Sequence, residues 1–214
     1  MFCRPPAKAL RNSIDLAQHV DRLGYVRYWV AEHHNLSSVA SPVPAIMIGQ
    51  IAAATQQIRV GSGGVMLPNH APLVVAEQFK MLEALFPGRV DLGLGRAPGT
   101  DGATAYALRS RLDRREGDDF LERLHELMLW ETREFPEGHP YNNVMAMPND
   151  TPLPPIWLLG SSDYSAELSA QLGMGFAFAH HFASHDAVEA MMNYRNRFTP
   201  SRWRNAPHAI LAVA

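Results

Sequence analysis

The chain has 214 residues, enough for one domain with a substantial core, and its 47% apolar and 19% charged side chains are those of an ordinary globular protein. Nineteen basic against 21 acidic residues leave a formal net charge of −2, which argues against nucleic acid or an anionic membrane as the main partner. Cys3 is the only cysteine, so no intrachain disulfide can form and a reducing cytoplasm is the expected location.

No apolar run approaches the roughly 18 residues needed to span a bilayer, and residues 1–8 lack the apolar core of a secretory signal. Leu10, Ile14, Ala17, Val20 and Leu23 recur at three- and four-residue spacing, which predicts a helix ended by Gly24. Tyr25–Ala31 then reads as a strand. Ser41-Pro42 has the form of an N-cap followed by a first-turn proline and opens a helix to about Thr55. Residues 58–65 form the next strand, broken by glycine. Pro72 opens a helix with Val75, Phe79, Leu82 and Phe86 on one face, and Pro87-Gly88 closes it before a strand over 89–95.

Arg109, Arg111, Arg114 and Arg115 are followed at once by acidic residues 116–119, a solvated entrance to a helix bearing Phe120, Leu124 and Leu127. Residues 131–154, rich in proline, asparagine and charge, form one long irregular insertion of the kind that is usually functional or mobile. A strand at 155–159, a helix over 163–172, a strand at 175–181, a helix with Val188, Met192 and Phe198, and a strand at 208–213 complete the chain. Six strands, each but the last followed by a helix, predict an α/β fold with a parallel sheet and helices packed outside it. A closed eight-stranded barrel takes about 250 residues, so six units leave either an open sheet or a barrel lacking its first strand and last units.

In parallel barrels the active site lies at the C-terminal strand ends, and here several of those ends carry chemistry. Glu32-His33-His34 ends the first strand; an imidazole there suits proton transfer near neutrality, although polar strand capping would use the same residues. A metal is not expected, because adjacent histidines on a strand face opposite ways, so His33-His34 and His180-His181 offer one inward ligand each. Arg96 follows Gly93-Leu94-Gly95, and its planar fork of donors suits a phosphate ester as well as a surface ion pair. It is not a dinucleotide fingerprint, since Pro98 stands where a third glycine is needed.

Residues 160–165, Gly-Ser-Ser-Asp-Tyr-Ser, precede a helix and form either an anion cradle or a plain cap by Ser162 or Asp163. Gly61-Ser62-Gly63-Gly64 implies close approach of backbone to a ligand, or a bulge. His70 reads as structural, and Met47, Met66, Trp29 and Phe178 line an apolar chamber or simply the core.

Four long motifs in order, YWVAEHHN (28–35), IRVGSGGVMLPNHAPLVVAEQF (58–79), PGRVDLGLGRAPGTD (87–101) and PIWLLGSSDYSAELSAQLG (155–173), resemble the bacterial luciferase-like flavin monooxygenases over nearly the whole chain. The resemblance implies a TIM (β/α)8-type barrel, incomplete, with about six βα units present. No counterpart of the family's first strand precedes Ala9, and its last units are missing after Ala214. The implied chemistry is oxygenation of a small apolar substrate, such as an aldehyde or ketone, by dioxygen and reduced FMN from a separate flavin reductase, in a cytoplasmic homodimer.

By the same resemblance His33 is the catalytic histidine, and Arg96, Ser162 and Ser165, with Ser161 beside them, hold the FMN phosphate. Gly63 and Gly64 would form a cis peptide beneath the flavin ring. Two other expectations fit the same scaffold: a non-catalytic flavin-binding protein on a shortened barrel, and a dehydrogenase that uses a deazaflavin.

Overall fold

The computed structural model describes residues 5–97, 100–109, 119–183 and 186–213. Cys3, Pro98 and most of the basic and acidic run between Arg111 and Asp118 therefore lie outside the described residues. The chain alternates α1 (Pro6–Arg22), β1 (Arg27–Val30), α2 (Pro44–Ala54), β2 (Arg59–Ser62), β3 (Val65–Met66), α3 (Pro72–Leu85) and β4 (Val90–Gly95) in its first half. It continues with α4 (Gly102–Leu108), α5 (Phe120–Thr132), β5 (Ile156–Gly160), α6 (Asp163–Leu172), β6 (Gly175–Ala179), α7 (Ala187–Arg197) and β7 (Ala209–Ala212).

The strands form one sheet in the order β1-β2-β4-β5-β6-β7, with β3 also beside β4, and every pairing is parallel. This is the α/β partial barrel that alternating strands and helices require, with about six βα units present. The middle strands are buried along almost their whole length, as parallel strands covered on both faces must be. Ile48, Ile51, Phe79, Leu92, Leu94 and Leu124 are among the fully buried side chains of the core.

Several boundaries differ from the sequence reading. Helix α2 starts at Pro44 with Val43 as its cap residue, not at Ser41-Pro42, because a helix opened at Pro42 would need Val43 helical, whereas Pro44 holds Val43 out of the helical region (φ −132°, ψ 87°) and takes the first turn itself. The Ser41 carbonyl instead accepts the His33 N–H at 3.2 Å. The strand over 58–65 is two strands, separated by a cis Gly63–Gly64 bond. Strands β1 and β6 stop at Val30 and Ala179, so the two histidine pairs lie beyond strands, His180 and His181 in a short 3-10 turn. Alternation along a strand therefore does not set where those histidines point. The short helix α4, capped by Asp101, was not expected, and Phe198 caps α7 rather than lying within it.

Where β2 breaks, Ser62 takes over the ladder: its Oγ donates to the Gly93 carbonyl at 2.8 Å and accepts the Gly93 N–H at 2.9 Å. A Cβ at Gly93 would lie 2.0 Å from the Ser62 carbonyl oxygen, so only glycine lets the two strands approach this closely.

At the N-terminal ends of the strands, Asp91 of β4 is fully buried. It accepts from Arg27 Nε (3.0 Å) and Trp29 Nε1 (3.2 Å) of β1, from Arg59 Nε and Nη2 (3.0 and 2.7 Å) of β2, and from Trp157 Nε1 (3.3 Å) of β5. Removing one partner of a buried charge network strands the rest. Asp91→Ala is expected to lower unfolding free energy by about 3–5 kcal/mol, measured by urea denaturation; a loss under 1 kcal/mol would show that the network does not hold the sheet.

Candidate active site

The C-terminal strand ends gather around Glu32, two residues past β1. Its side chain is fully buried, yet neither carboxylate oxygen lacks a partner. Oε1 accepts from Nε2 of His34 (2.9 Å) and Nε2 of His70 (2.8 Å), and Oε2 accepts the Met66 N–H of β3 at 2.9 Å. One carboxylate thus ties the end of β1 to β3 and to the turn that opens α3. From the far side, Arg123 Nη1 of α5 donates to the His70 carbonyl at 2.8 Å. Burial raises the Glu32 carboxyl, and the bonds from His70, His34 and the Met66 N–H together outweigh it, so the group is held below the ordinary carboxylate range.

Met66 lies in register with Gly95 of β4, and Arg96 is the next residue. The Arg96 guanidinium sits 4.7 Å from the centre of the Tyr164 ring, in the first turn of α6. Ser162 is the cap residue of α6, its side chain makes no capping hydrogen bond, and Asp163 follows in the first turn. Ser165 packs against the end of β5: a Cβ at Gly160 would lie 2.0 Å from its Oγ. An exposed cation, hydroxyls and uncapped helix N–H groups therefore meet at one strand end.

The segment after β4 folds back over the segment after β1. Thr100 Oγ1 donates to the His34 carbonyl (2.9 Å) and Asn35 Nδ2 to Asp101 Oδ2 (2.9 Å), while Asp101 also accepts from the Thr104 N–H and hydroxyl. The Asn35 bond, then those from Thr104, hold the Asp101 carboxyl below its ordinary range. Among the described residues, no three His, Cys, Asp or Glu side chains are grouped to hold a metal ion.

The family model for luciferase-like monooxygenase matches residues 2–211. The chain belongs to the luciferase-like monooxygenase family. Within that family it is 53% identical over 207 residues to the Bacillus subtilis protein YvbT, covering 97% of this chain and 60% of that one. It is 47% identical over 206 residues to a luciferase-like monooxygenase of Escherichia coli K12, covering 96% of this chain and 60% of that one. The crystal structure of apo-MsnO8 superposes with a TM-score of 0.85 at 43% identity, covering 97% of this chain and 60% of that one. The chain thus spans about 60% of the length of the relatives it matches.

Most of the residues singled out in the sequence fall on this one end of the sheet. His33 follows Glu32 and is half-buried; Gly63 and Gly64 form the cis bond between β2 and β3; Arg96, Ser161, Ser162 and Ser165 follow β4 and β5. Trp29 belongs elsewhere, in the Asp91 network, and Met47 and Phe178 are core residues. The sequence offers Glu32 only as part of the Glu32-His33-His34 strand end, and does not show it as the centre of the cluster, because its partner His70 lies 38 residues away. An acidic residue directly after an apolar strand was the available signal.

Because Glu32 is held below the ordinary carboxylate value, the unfolded chain takes up its proton first as pH falls. The stability these contacts supply is complete above that value and is lost as pH drops through the lower folded one. Glu32→Gln is expected to cost about 2–3 kcal/mol at pH 7 and to flatten the fall of Tm between roughly pH 5 and pH 3. An unchanged acid limb in thermal melts would rule out this role.

Proposed function

We propose that this chain carries the site of a flavin-dependent monooxygenase that uses reduced FMN and dioxygen to oxygenate a small apolar organic substrate. The observation that carries the reading is the meeting of Arg96 with the uncapped start of α6. That donor set fits a phosphate ester: a cationic fork, the helix N–H groups and the hydroxyls of Ser161, Ser162 and Ser165 all favour a dianion. Gly63 and Gly64 add backbone without side chains at the neighbouring strand end, where a flat ring system needs room. When bound, the flavin supplies the electrons that reduce dioxygen.

The protein's own groups do the rest. His33 holds and moves the proton at the reacting edge, as an imidazole working near neutrality can. Glu32, bonded to His34 and His70, fixes the strand ends around it. The contacts of Thr100 and Asn35–Asp101 hold the connecting segment across the site, which limits the access of water. Reduced FMN would come from a separate flavin reductase. Leu16, Leu23 and Ile46 of α1 and α2 and the turn after α1 are exposed apolar side chains that suit a homodimer contact.

Stopped-flow mixing of the anaerobic complex with oxygenated buffer tests the proposal. A bound flavin that reoxidises more slowly than free reduced FMN, through an absorbance transient absent from buffer, is the expected result. Arg96→Ala is expected to weaken FMN binding by about 10- to 100-fold and to abolish the transient. Flavin that binds but reoxidises as fast as in buffer would leave only a flavin-binding protein. Turnover with a deazaflavin and a secondary alcohol without oxygen would instead make the chain a dehydrogenase.

A further inference from the structure

The proposed reaction gives the side chain of Met66 no task, although its place is well defined. Side chains along β4 alternate between two faces. Val90, Leu92 and Leu94 belong to the buried cluster that includes Ile48 and Ile51 of α2 and Phe79 of α3. Asp91, Gly93 and Gly95 therefore share the other face, the one on which Asp91 meets Trp29 of β1 and Trp157 of β5. A Cβ at Gly95 would lie 3.2 Å from Met66 Sδ and 3.9 Å from its methyl carbon. Glycine thus leaves a space over β4 that the Met66 thioether fills.

That space is at the C-terminal end of the strands, where Met66 pairs in register with Gly95 and Arg96 follows. The Met66 N–H is spent on Glu32 Oε2 at 2.9 Å, which holds the backbone in place. Met66 is half-buried and stands outside the apolar core clusters. A thioether is oxidised to the sulfoxide by peroxide, which turns a flexible apolar side chain into a polar one. The reaction proposed above generates such an oxidant at this end of the sheet.

The chemistry balances without a further reagent. When no substrate takes the oxygen, dioxygen accepts two electrons and two protons from the reduced flavin and leaves as hydrogen peroxide. A sulfur lone pair attacks one peroxide oxygen, and the S–O bond forms as the O–O bond breaks. The departing hydroxide takes the proton left on the new oxygen and leaves as water. Sulfur loses two electrons and the peroxide gains them. Met66 Sδ already lies against Gly95, so the added oxygen projects away from β4 and into the site, a polar group where a flat ring needs room.

We propose that Met66 is a self-oxidation site, where hydrogen peroxide formed in the site by uncoupled turnover converts the thioether to its sulfoxide. The sulfoxide weakens flavin binding and so halts further peroxide release. A methionine sulfoxide reductase reverses it. The inference rests on the flavin reading above.

The chain is supplied in the dark with FMN, NADH and a flavin reductase in air, without substrate and with catalase, and peptide mass spectrometry locates each added oxygen atom. Catalase removes peroxide that has escaped into solution but not peroxide still in the site. Met66 is expected to carry about ten times as much sulfoxide as Met81, Met147 and Met192, which are 55%, 52% and 50% exposed. Bulk hydrogen peroxide on the flavin-free chain is expected to reverse that order, since exposure then decides. After turnover the chain is expected to bind FMN about 5- to 100-fold more weakly, and sulfoxide reductase to restore the affinity. Met66→Leu, which keeps the volume without the sulfur, is expected to keep its starting affinity through the same treatment. Reductase rescue of the parent carries the test if this variant does not fold. Met66 oxidised no more than the exposed methionines under catalase, or oxidised with no loss of affinity, overturns the inference. A chain that binds no FMN in direct titration overturns the flavin reading and this inference with it. One that binds and reoxidises FMN without oxidation of Met66 overturns this inference alone.

Discussion

Asp91 sets the shape of this sheet. Burying a carboxylate without partners costs many kcal/mol, and the donors to Asp91, itself on β4, come from β1, β2 and β5. Side chains from strands that far apart reach one point only if the sheet curls around it. Apolar packing is non-directional and would tolerate many curvatures; a carboxylate with five directed hydrogen bonds tolerates few. Hence Arg27, which begins β1, and Arg204, in the segment that enters β7, both lie over the Trp157 ring, although β1 and β7 lie at opposite ends of the strand order.

The same device recurs at the other end of the strands with a different consequence. Glu32 is as deeply buried as Asp91, but its donors are two histidines and one backbone N–H, taken from the β1 end, β3 and the turn before α3. Arginines make the Asp91 cluster permanently charged. The Glu32 cluster has imidazoles in place of the guanidinium groups. Two buried carboxylates, one at each end of a parallel sheet, therefore divide the work: one ties the strand starts together and the other frames the candidate site.

The long connection from α5 to β5 belongs to this framework. Buried Lys80 of α3 pairs with Glu131 at 2.6 Å and donates to the Thr151 carbonyl at 2.8 Å, and Glu131 also accepts the Leu153 N–H. Trp130 stacks on Tyr141 and meets Phe135 edge-on, so the first half of the connection is held against the end of α5. Anchored at both ends, a segment without helix or strand still delivers β5 in register with β4, and with it Gly160 and the start of α6. The geometry of the proposed phosphate site thus depends on contacts far from it.

Periodicity and turn chemistry were enough to read the α/β class, the parallel order of units and most helices, because a 3.6-residue apolar stripe and a short buried run are local properties. The glycine break at 63–64 and the loaded strand ends after β1, β4 and β5 were legible for the same reason. Strand ends were less so: β1 and β6 stop before their histidines, since pairing with a neighbouring strand, not local pattern, decides where a strand ends. The start of α2 moved because two prolines competed for its first turn. By itself, then, the sequence determined the kinds of elements, their order and the family. Only the tertiary structure decided that Glu32 joins His34 to His70 and that Asp91 gathers Arg27, Arg59 and Trp157. Those partners lie tens of residues apart in the chain, and a buried charge selects them by distance and direction in space, which no local pattern records.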